Sequence, residues 1–318
     1  MNIVFLDGNT INNGDLSWDI FEALGNFTVY DRSCADDVLS RAANADIIIL
    51  NKTPLKREHF ERLPKLRLVC VAATGYDVVD IEAAKDFGIP VCNCAGYGTL
   101  AVAQMVVAHL LEVTNKVGYY SAANRKGFWS KSRDFCCWDE PLMELTGRKV
   151  AVVGFGNIGQ AVINMLRPFG MKLYAVTSKS SEELPADVEK VSMEEAFSAC
   201  DVVSLNCPLT ATNEKFVNAD LLGKANPNLI LINTARGKLV DDDAVTKALS
   251  ENRLAAYCSD VLSQEPPSAS HPLLSAPRAY ITPHIAWATA EARMRIMQII
   301  SRNITAFLAG NPVNVVNP

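Results

Sequence analysis

Residues 149–166 join an apolar strand to a helix through three closely spaced glycines, and they constrain the fold more than any other part of the sequence. A glycine at the end of the strand permits a tight turn, and a second lets the backbone approach a pyrophosphate. The third lets the helix pack closely on the strand, while free amides at the helix N-terminus favour phosphate oxygens. The sequence therefore predicts a dinucleotide site at Gly154, Gly156, Asn157, Ile158 and Gly159.

Short apolar runs alternate with helical patterns in two separate series along the chain. In the first series, strands are expected at residues 3–6, 27–30, 47–50, 68–72 and 90–93, with helices at 18–24, 36–42, 56–62 and 81–87. In the second series, strands are expected at residues 150–153, 172–176, 202–205, 229–233, 254–259 and 279–282. This alternation predicts an α/β fold with two doubly wound parallel sheets, each covered by helices on both faces.

A long helical pattern, residues 99–125, separates the two series. A final helix at residues 289–308 follows the second series, so we expect it to pack back on the first unit. With 318 residues, two domains are expected. Their predicted bounds are 1–98 plus 287–318 for a discontinuous substrate domain, and 99–286 for a nucleotide-binding domain.

Composition excludes several classes of protein. The net charge of −5 disfavours a nucleic-acid-binding surface, which needs a basic face. No apolar run approaches the ~20 residues of a membrane span, and the N-terminus lacks the basic start of a signal peptide. The nine cysteines include Cys92, Cys94, Cys136 and Cys137, which complete no metal motif. We therefore expect no metal and a cytoplasmic protein with reduced thiols.

Three reactive side chains follow strands of the second series, at the sheet edge where ligands bind in open α/β sheets. They are Arg236, Glu265 and His284. Taken singly, each has an ordinary structural explanation: a surface charge, a turn cap and a packed histidine. Together they supply what carbonyl reduction requires. Histidine can deliver a proton near neutral pH, a carboxylate can orient the ring, and arginine can bind a carboxylate with a fork of donors.

The strand at residues 172–176 ends without the acidic side chain that usually bonds the adenosine ribose. Thr177, Ser178 and Lys179 follow it, and Glu182 and Glu183 come shortly afterwards. Hydroxyl groups and a lysine would tolerate the 2′-phosphate of NADP, although Thr177 and Ser178 could also accept NAD. The sequence is compatible with both cofactors.

Several motifs occur in a characteristic order: residues 154–159 (GFGNIG), 206–210 (NCPLT), 233–237 (NTARG), 260–266 (DVLSQEP), 282–287 (TPHIAW) and 73–80 (ATGYDVVD). In this order and spacing the chain resembles the D-isomer-specific 2-hydroxyacid dehydrogenase family, over nearly its whole length. Residues 51–55 (NKTPL) and 134–139 (DFCCWD) are similar to its bacterial glycerate dehydrogenase (hydroxypyruvate reductase) branch. The resemblance implies two Rossmann-like doubly wound domains, a flavodoxin-like substrate domain and an NAD(P)-binding domain, with substrate in the cleft.

The resemblance also implies roles for individual residues. His284 would be the acid and base, Glu265 its partner and Arg236 the substrate anchor. Lys52, Thr74 and Gly75 would bind substrate. Asp260 would bond the nicotinamide carboxamide. The remaining residues expected at the cofactor are Cys207, Pro208, Thr234 and Ala235.

Family members usually form homodimers through the nucleotide domain, and residues 99–145 are expected to supply the long dimerisation helix and arm. Trp138 lies in this arm, and we hypothesise that it lines the substrate pocket of the partner subunit; packing within the dimer contact is the alternative. The expected reaction is NAD(P)H-dependent reduction of hydroxypyruvate to D-glycerate, and of glyoxylate to glycolate.

Alternative functions are a D-lactate or phosphoglycerate type of dehydrogenase, or a nucleotide-sensing corepressor. The phosphoglycerate type is disfavoured because no regulatory extension follows residue 318, and the corepressor because no long flexible tail is present. A formate dehydrogenase is disfavoured because the expected partner of His284 is Glu265, not a glutamine.

Overall fold

The computed structural model describes all 318 residues, and contacts within the chain divide it into two compact units. The first unit consists of Met1–Gly98 and Ala288–Pro318, and the second of Thr99–Trp287. No helix in either unit combines the length and apolar character needed to cross a bilayer.

The first unit is built on a five-stranded parallel sheet with the order β2-β1-β3-β4-β5. This is the order of flavodoxin-like folds. The central strands are buried along their whole length because helices cover both faces, and this explains their uninterrupted apolar sequences. The strands are β1 (Asn2–Phe5), β2 (Asn26–Val29), β3 (Ile47–Leu50), β4 (Leu68–Val71) and β5 (Val91–Cys92). The helices between them are α1 (Asp19–Glu22), α2 (Val38–Arg41), α3 (Arg57–Arg62) and α4 (Ile81–Asp86).

The second unit has a seven-stranded parallel sheet with the order β12-β11-β10-β9-β6-β7-β8. The strand order reverses between β6 and β9, and dinucleotides bind at such a switch point. The strands are β6 (Lys149–Val153), β7 (Lys172–Val176), β8 (Val188–Lys190), β9 (Val202–Leu205), β10 (Ile230–Asn233), β11 (Ala256–Ser259) and β12 (Ala279–Ile281). Its helices are α5 (Thr99–Asn115), α6 (Val117–Arg125), α7 (Asn157–Leu166), α8 (Met193–Ala199), α9 (Ala219–Gly223) and α10 (Asp242–Ser250).

The predicted long helix is two helices, and the expectation of one continuous helix was wrong. Lys116 adopts a left-handed backbone conformation, with φ of 51°, between α5 and α6. The change coincides with a change in burial: α5 buries seven residues, whereas α6 buries none. Without an apolar face to pack, nothing holds the second segment in line with the first. The carboxylate of Glu112 accepts a hydrogen bond from the Gly118 amide at this break, at 3.0 Å.

The last helix, α11 (Ala290–Leu308), packs on β4 of the first unit, as the sequence predicted. Its buried face includes Ile296, Ile300 and Ile304. The buried side chain of Asn303 donates to the carbonyl of Asn93 at 3.1 Å. The α/β class with two doubly wound Rossmann-like sheets is thus confirmed.

Candidate active site

Two of the three glycines after β6 are required by their surroundings. Gly154 has a φ of +95°, and a Cβ there would lie 2.8 Å from the backbone nitrogen of Cys207. A Cβ at Gly159 would lie 2.1 Å from the carbonyl oxygen of Gly154, so only glycine allows α7 to start so close to β6. By contrast, a Cβ at Gly156 would meet no atom within 4 Å. The first and third glycines close the turn, while the second leaves the helix N-terminus open to a ligand.

A cavity of about 890 Å³ lies at the carboxyl ends of β6, β7 and β9. It brings together Gly154, Gly156, Thr177, Ser178, Lys179, Cys207 and Pro208, all of which the sequence predicted at the cofactor. Its apolar walls include Met193, Phe216 and Leu221, which sequence reasoning missed. They stand in or near α8 and α9, outside any motif, so no sequence signal identified them. Burial raises the pKa of the Cys207 thiol, which favours an unreactive wall group.

The other predicted cofactor residues lie outside this cavity. Asn157, Ile158 and Gly159 form the first turn of α7. Thr234 and Ala235 follow β10, Asp260 follows β11 and His284 follows β12, at the same edge of the parallel sheet.

Two buried polar atoms near this edge have no hydrogen-bond partner within the protein: Oδ1 of Asn206 and Oγ1 of Thr234. Buried polar atoms are almost always paired in folded proteins, so such orphans indicate a missing ligand or water. Both follow strands next to the switch point, Asn206 after β9 and Thr234 after β10. Gly154, Gly156 and Gly159 form what we call the glycine cradle. Together with this cradle, the two atoms fit a bound nicotinamide dinucleotide, whose ribose and phosphate groups carry matching donors and acceptors.

The end of β7 carries hydroxyl and amino groups in place of an acid. Oγ1 of Thr177 accepts a hydrogen bond from the Lys179 amide at 3.2 Å, and Nζ of Lys179 lies 5.7 Å from the centre of the Phe155 ring. The nearby carboxylate of Glu183 turns away to accept from the Ser180 amide at 2.8 Å, and this bond lowers its pKa. Neither Glu182 nor Glu183 lines the cavity.

His284 and Glu265 form a close pair. Nδ1 of His284 lies 2.6 Å from Oε2 of Glu265, and the other carboxylate oxygen accepts from the Leu262 amide at 2.9 Å. The side chains are 41% and 36% exposed, so a substrate can reach the pair. The carboxylate fixes the orientation of the ring and leaves Nε2 as the nitrogen available to a substrate.

The backbone of His284 is held in an unusual conformation by its neighbours. Its φ is +55°, a left-handed value that residues other than glycine adopt infrequently. The carbonyl of His284 accepts from the Trp287 indole at 2.9 Å. The amides of Ile285 and Ala286 donate to the carboxylate of Asp260 at 2.9 and 2.7 Å.

Asp260 is bonded to the loop that carries His284. The residue is only 1% exposed, and both oxygens of its carboxylate, which the resemblance assigned to the nicotinamide carboxamide, accept hydrogen bonds within the protein. The motif correctly placed Asp260 beside the histidine loop. The motif could not show that the carboxylate is directed at that loop, because every residue type except proline has a backbone amide and the sequence does not indicate which amides the carboxylate binds.

Arg236 stands on a tight turn after β10. The buried side chain of Asn233 closes this turn: it donates to the Arg236 carbonyl and accepts from the Ala235 amide, both at 3.0 Å. The exposed guanidinium donates through Nη1 to the Ala235 carbonyl at 2.7 Å. A Cβ at Gly237 would lie 1.9 Å from the carbonyl carbon of Leu262, so the arginine turn presses against the loop that carries Glu265.

The predicted substrate residues Lys52, Thr74 and Gly75 lie in the first unit. Lys52 is exposed on a loop whose three successive amides, from residues 51 to 53, donate to the buried carboxylate of Asp7 at 2.8, 2.6 and 2.8 Å. Thr74 follows β4, and its hydroxyl donates to the carbonyl of Cys94 at 3.0 Å. Trp138 lies in the irregular arm after α6 and is 69% exposed.

Known proteins resemble this chain along most of its length. The family description "D-isomer specific 2-hydroxyacid dehydrogenase, NAD binding domain" matches residues 107–286. A hydroxypyruvate reductase of Blautia hydrogenotrophica is 43% identical, covering 100% of this chain and 100% of the relative. A glycerate dehydrogenase of Methylorubrum extorquens is 34% identical, covering 99% of this chain and 98% of the relative. Among solved structures, an acyclic imino acid reductase in complex with NADPH and D-arginine has a TM-score of 0.83 at 29% identity, covering 99% of this chain and 100% of that chain.

The matched region contains the glycine cradle, the Arg236 turn, the Glu265 loop and His284. Family, fold and reactive side chains therefore agree, and the resemblance read from the sequence is confirmed. The chain belongs to the D-isomer-specific 2-hydroxyacid dehydrogenase family.

Proposed function

We propose that this enzyme reduces small 2-keto acids to D-2-hydroxy acids with a nicotinamide dinucleotide, and that hydroxypyruvate, which yields D-glycerate, is its preferred substrate. The observation that carries the proposal is the 2.6 Å hydrogen bond between His284 and Glu265, in the same unit as the glycine cradle. The names of the two relatives support hydroxypyruvate and glycerate as the substrate pair. Glyoxylate, which carries the same 2-oxo acid group, is proposed as a second substrate and yields glycolate.

The residues of the second unit divide the chemistry among them. When bound, the nicotinamide supplies the hydride that adds to the carbonyl carbon of the substrate. Nε2 of His284 donates the proton to the carbonyl oxygen, because Nδ1 is bonded to Glu265. Glu265 stabilises the protonated ring before transfer. Arg236 binds the substrate carboxylate with two parallel N–H donors.

Binding of the substrate through Lys52, Thr74 and Gly75 is part of the proposal. The hydrogen bonds from residues 51–53 to Asp7 support it, since they fix the loop that presents Lys52. The backbone amides of Thr74 and Gly75 would donate hydrogen bonds to the substrate carboxylate.

Steady-state kinetics with NADPH and NADH on hydroxypyruvate, glyoxylate, pyruvate and 3-phosphohydroxypyruvate test the proposed function. We expect the highest kcat/KM with hydroxypyruvate. A preference for pyruvate or for the phosphorylated acid would replace the substrate assignment, and turnover of none of the four acids would overturn the reaction itself.

The proposal extends to the cofactor: the enzyme accepts NADPH and prefers it to NADH. Three observations support this choice. No carboxylate stands at the end of β7, where Thr177 takes its place, and Lys179 lines the cavity. Glu183 is bonded to the Ser180 amide, so it is not positioned to bond a ribose. The similar imino acid reductase was solved with NADPH.

A single substitution tests the cofactor preference. Thr177→Asp is expected to lower kcat/KM for NADPH about a hundredfold, because an added carboxylate repels the 2′-phosphate at short range. The same carboxylate can bond the ribose hydroxyls of NADH, so kcat/KM for NADH should be maintained or rise. Thr177→Ser is the matched control and should change neither value more than about twofold. Undiminished use of NADPH by Thr177→Asp would place the 2′-phosphate elsewhere.

The proposal also includes a homodimer formed through α5, α6 and the arm that follows. This region exposes several large apolar side chains, among them Val117, Trp129, Phe135, Trp138 and Leu142. Several exposed large apolar side chains within one region are typical of a subunit contact. Sedimentation analysis across a range of concentrations should give twice the chain mass of 34.6 kDa.

Within that dimer, Trp138 is proposed to line the substrate pocket of the partner subunit. Trp138→Ala is expected to raise KM for hydroxypyruvate about tenfold while the dimer persists, because a large aromatic contact with the substrate region is lost. Phe135→Ala is the matched control: it removes another aromatic side chain from the same proposed subunit contact, and KM should stay within about twofold while the dimer persists. An unchanged KM in a dimeric Trp138→Ala protein would assign Trp138 to packing alone.

We also place the enzyme in the cytoplasm. All nine cysteines are free thiols and five of them are buried, which suits a reducing compartment.

A further inference from the structure

A chain of hydrogen bonds runs from the middle of α5 to the loop that carries His284. Nε2 of His109 lies 3.2 Å from Oγ1 of Thr282, and the Thr282 hydroxyl donates to Oδ1 of Asp260 at 2.5 Å. The Asp260 carboxylate in turn accepts from the amides of Ile285 and Ala286. The proposed mechanism uses neither His109 nor Thr282.

The direction of each bond follows from the donors available. A threonine hydroxyl has one proton, and that of Thr282 points to Asp260. Its oxygen must therefore accept from His109, which requires a proton on Nε2 of that imidazole. His109 is buried, and its burial lowers its pKa although the nearby Asp260 charge acts in the opposite sense. The neutral Nε2–H form is therefore the state that donates to Thr282.

This network sits directly behind the catalytic histidine. Asp260 holds the two amides that follow His284, and the carbonyl of Thr282 accepts from the His284 amide at 3.0 Å. His284 is thus bracketed by two residues of the network, in a left-handed conformation that must be enforced from outside. Loss of one bond in the chain frees the loop to relax towards an ordinary backbone conformation.

We propose that His109 and Thr282 are positioning residues: they orient the carboxylate of Asp260, which fixes the loop at Ile285 and Ala286 and so aims the ring of His284. The inference rests on the proposed function, in which His284 delivers the proton. His109 and Thr282 touch neither substrate nor cofactor in this scheme. Their contribution is to kcat, through the geometry of the proton donor.

Matched pairs of variants separate the hydrogen bond from the volume of each side chain. Thr282→Val removes the hydroxyl but keeps the shape, whereas Thr282→Ser keeps the hydroxyl. His109→Leu removes the donor, whereas His109→Gln retains an N–H near the position of Nε2. We expect Thr282→Val to lower kcat about tenfold and His109→Leu about threefold, since small displacements of reacting groups have large effects on rate. Thr282→Ser and His109→Gln should stay within about twofold, and KM for NADPH should be unchanged in all four.

Three outcomes of these measurements, taken with the melting temperature of each variant, would overturn the inference. In the first, Thr282→Ser is as slow as Thr282→Val, so that the hydroxyl is irrelevant. In the second, the variants melt at lower temperature but keep full kcat, which reduces the network to stability. In the third, KM for the cofactor rises while kcat is unchanged, which would assign the network around Asp260 to cofactor binding.

An NMR measurement tests the network without any turnover, so its failure is distinct from failure of the proposed function. The chain has only four histidines, which makes ¹⁵N-histidine spectra assignable by substitution. We expect His109 to carry its proton on Nε2, and the His284 ring signals to move in Thr282→Val but not in Thr282→Ser. Unmoved His284 signals in Thr282→Val would refute the positioning role, even if the enzyme reduces hydroxypyruvate as proposed.

Discussion

His284→Gln is expected to reduce hydroxypyruvate about a thousandfold more slowly than the wild-type enzyme, the middle of the range for loss of a general acid. Glutamine keeps a polar side chain of similar reach but cannot deliver a proton to a developing alkoxide. It can still meet Glu265, so the loop should keep its shape. Single-turnover kinetics with NADPH would measure the chemical step directly.

The control for this variant is cofactor affinity. Binding of NADPH, followed by fluorescence, should be unchanged within about twofold, since the glycine cradle is untouched. Glu265→Gln should give an intermediate loss, because its amide can still meet the His284 ring but carries no charge to stabilise the protonated form. A His284→Gln enzyme with nearly normal turnover would remove His284 from the role of acid, whatever its distance from Glu265.

Arg236→Lys is expected to lower kcat/KM for hydroxypyruvate about a hundredfold, although it conserves the charge. A guanidinium presents two parallel donors to a carboxylate, whereas an ammonium presents a point charge on a flexible stem. Loss of one charge-assisted hydrogen bond and of the fixed geometry is worth about 3 kcal/mol, which corresponds to that factor. The measurement is steady-state kinetics over a range of hydroxypyruvate concentrations.

Lys238→Gln is the matched control for the arginine. Lys238 is exposed two residues away, so this variant removes a full positive charge from the same turn. Its kcat/KM should stay within about twofold, because exposed charges are screened by solvent and salt. If Arg236→Lys keeps nearly full kcat/KM while Lys238→Gln loses it, the turn acts through its overall charge and Arg236 has no specific contact with the substrate.

Much of the architecture could be predicted because parallel sheets covered on both faces need continuous apolar strands. The run at residues 47–50 is such a strand, and the structure buries all four of its residues. The short edge strand β8 escaped prediction because only one of its three residues is buried. The break at Lys116 was not predicted for a related reason: the spacing of apolar residues does not indicate whether a helix has a surface to pack against.

Some features of the candidate site could also be predicted from the sequence, and others could not. The glycines, Arg236, Glu265 and His284 could be proposed from the sequence because the expected chemistry requires particular residue types at particular strand ends. The inward direction of the Asp260 carboxylate was not predictable, since it is decided by the amides of Ile285 and Ala286. The role of His109 was likewise not predictable. Within a helix of apolar residues, its sequence position indicates only a packed side chain, and the contact with Thr282 is known only from the structure.

The close approach of Gly237 to Leu262 has a consequence for redesign of the enzyme. The turn that carries Arg236 packs directly against the loop that carries Glu265, and no space remains between them for even one added methyl group at Gly237. Any attempt to widen substrate scope by lengthening or bulking the arginine turn would push on the histidine's partner as well. Libraries that vary the two segments together are therefore the sensible starting point, because neither can be altered as an independent module.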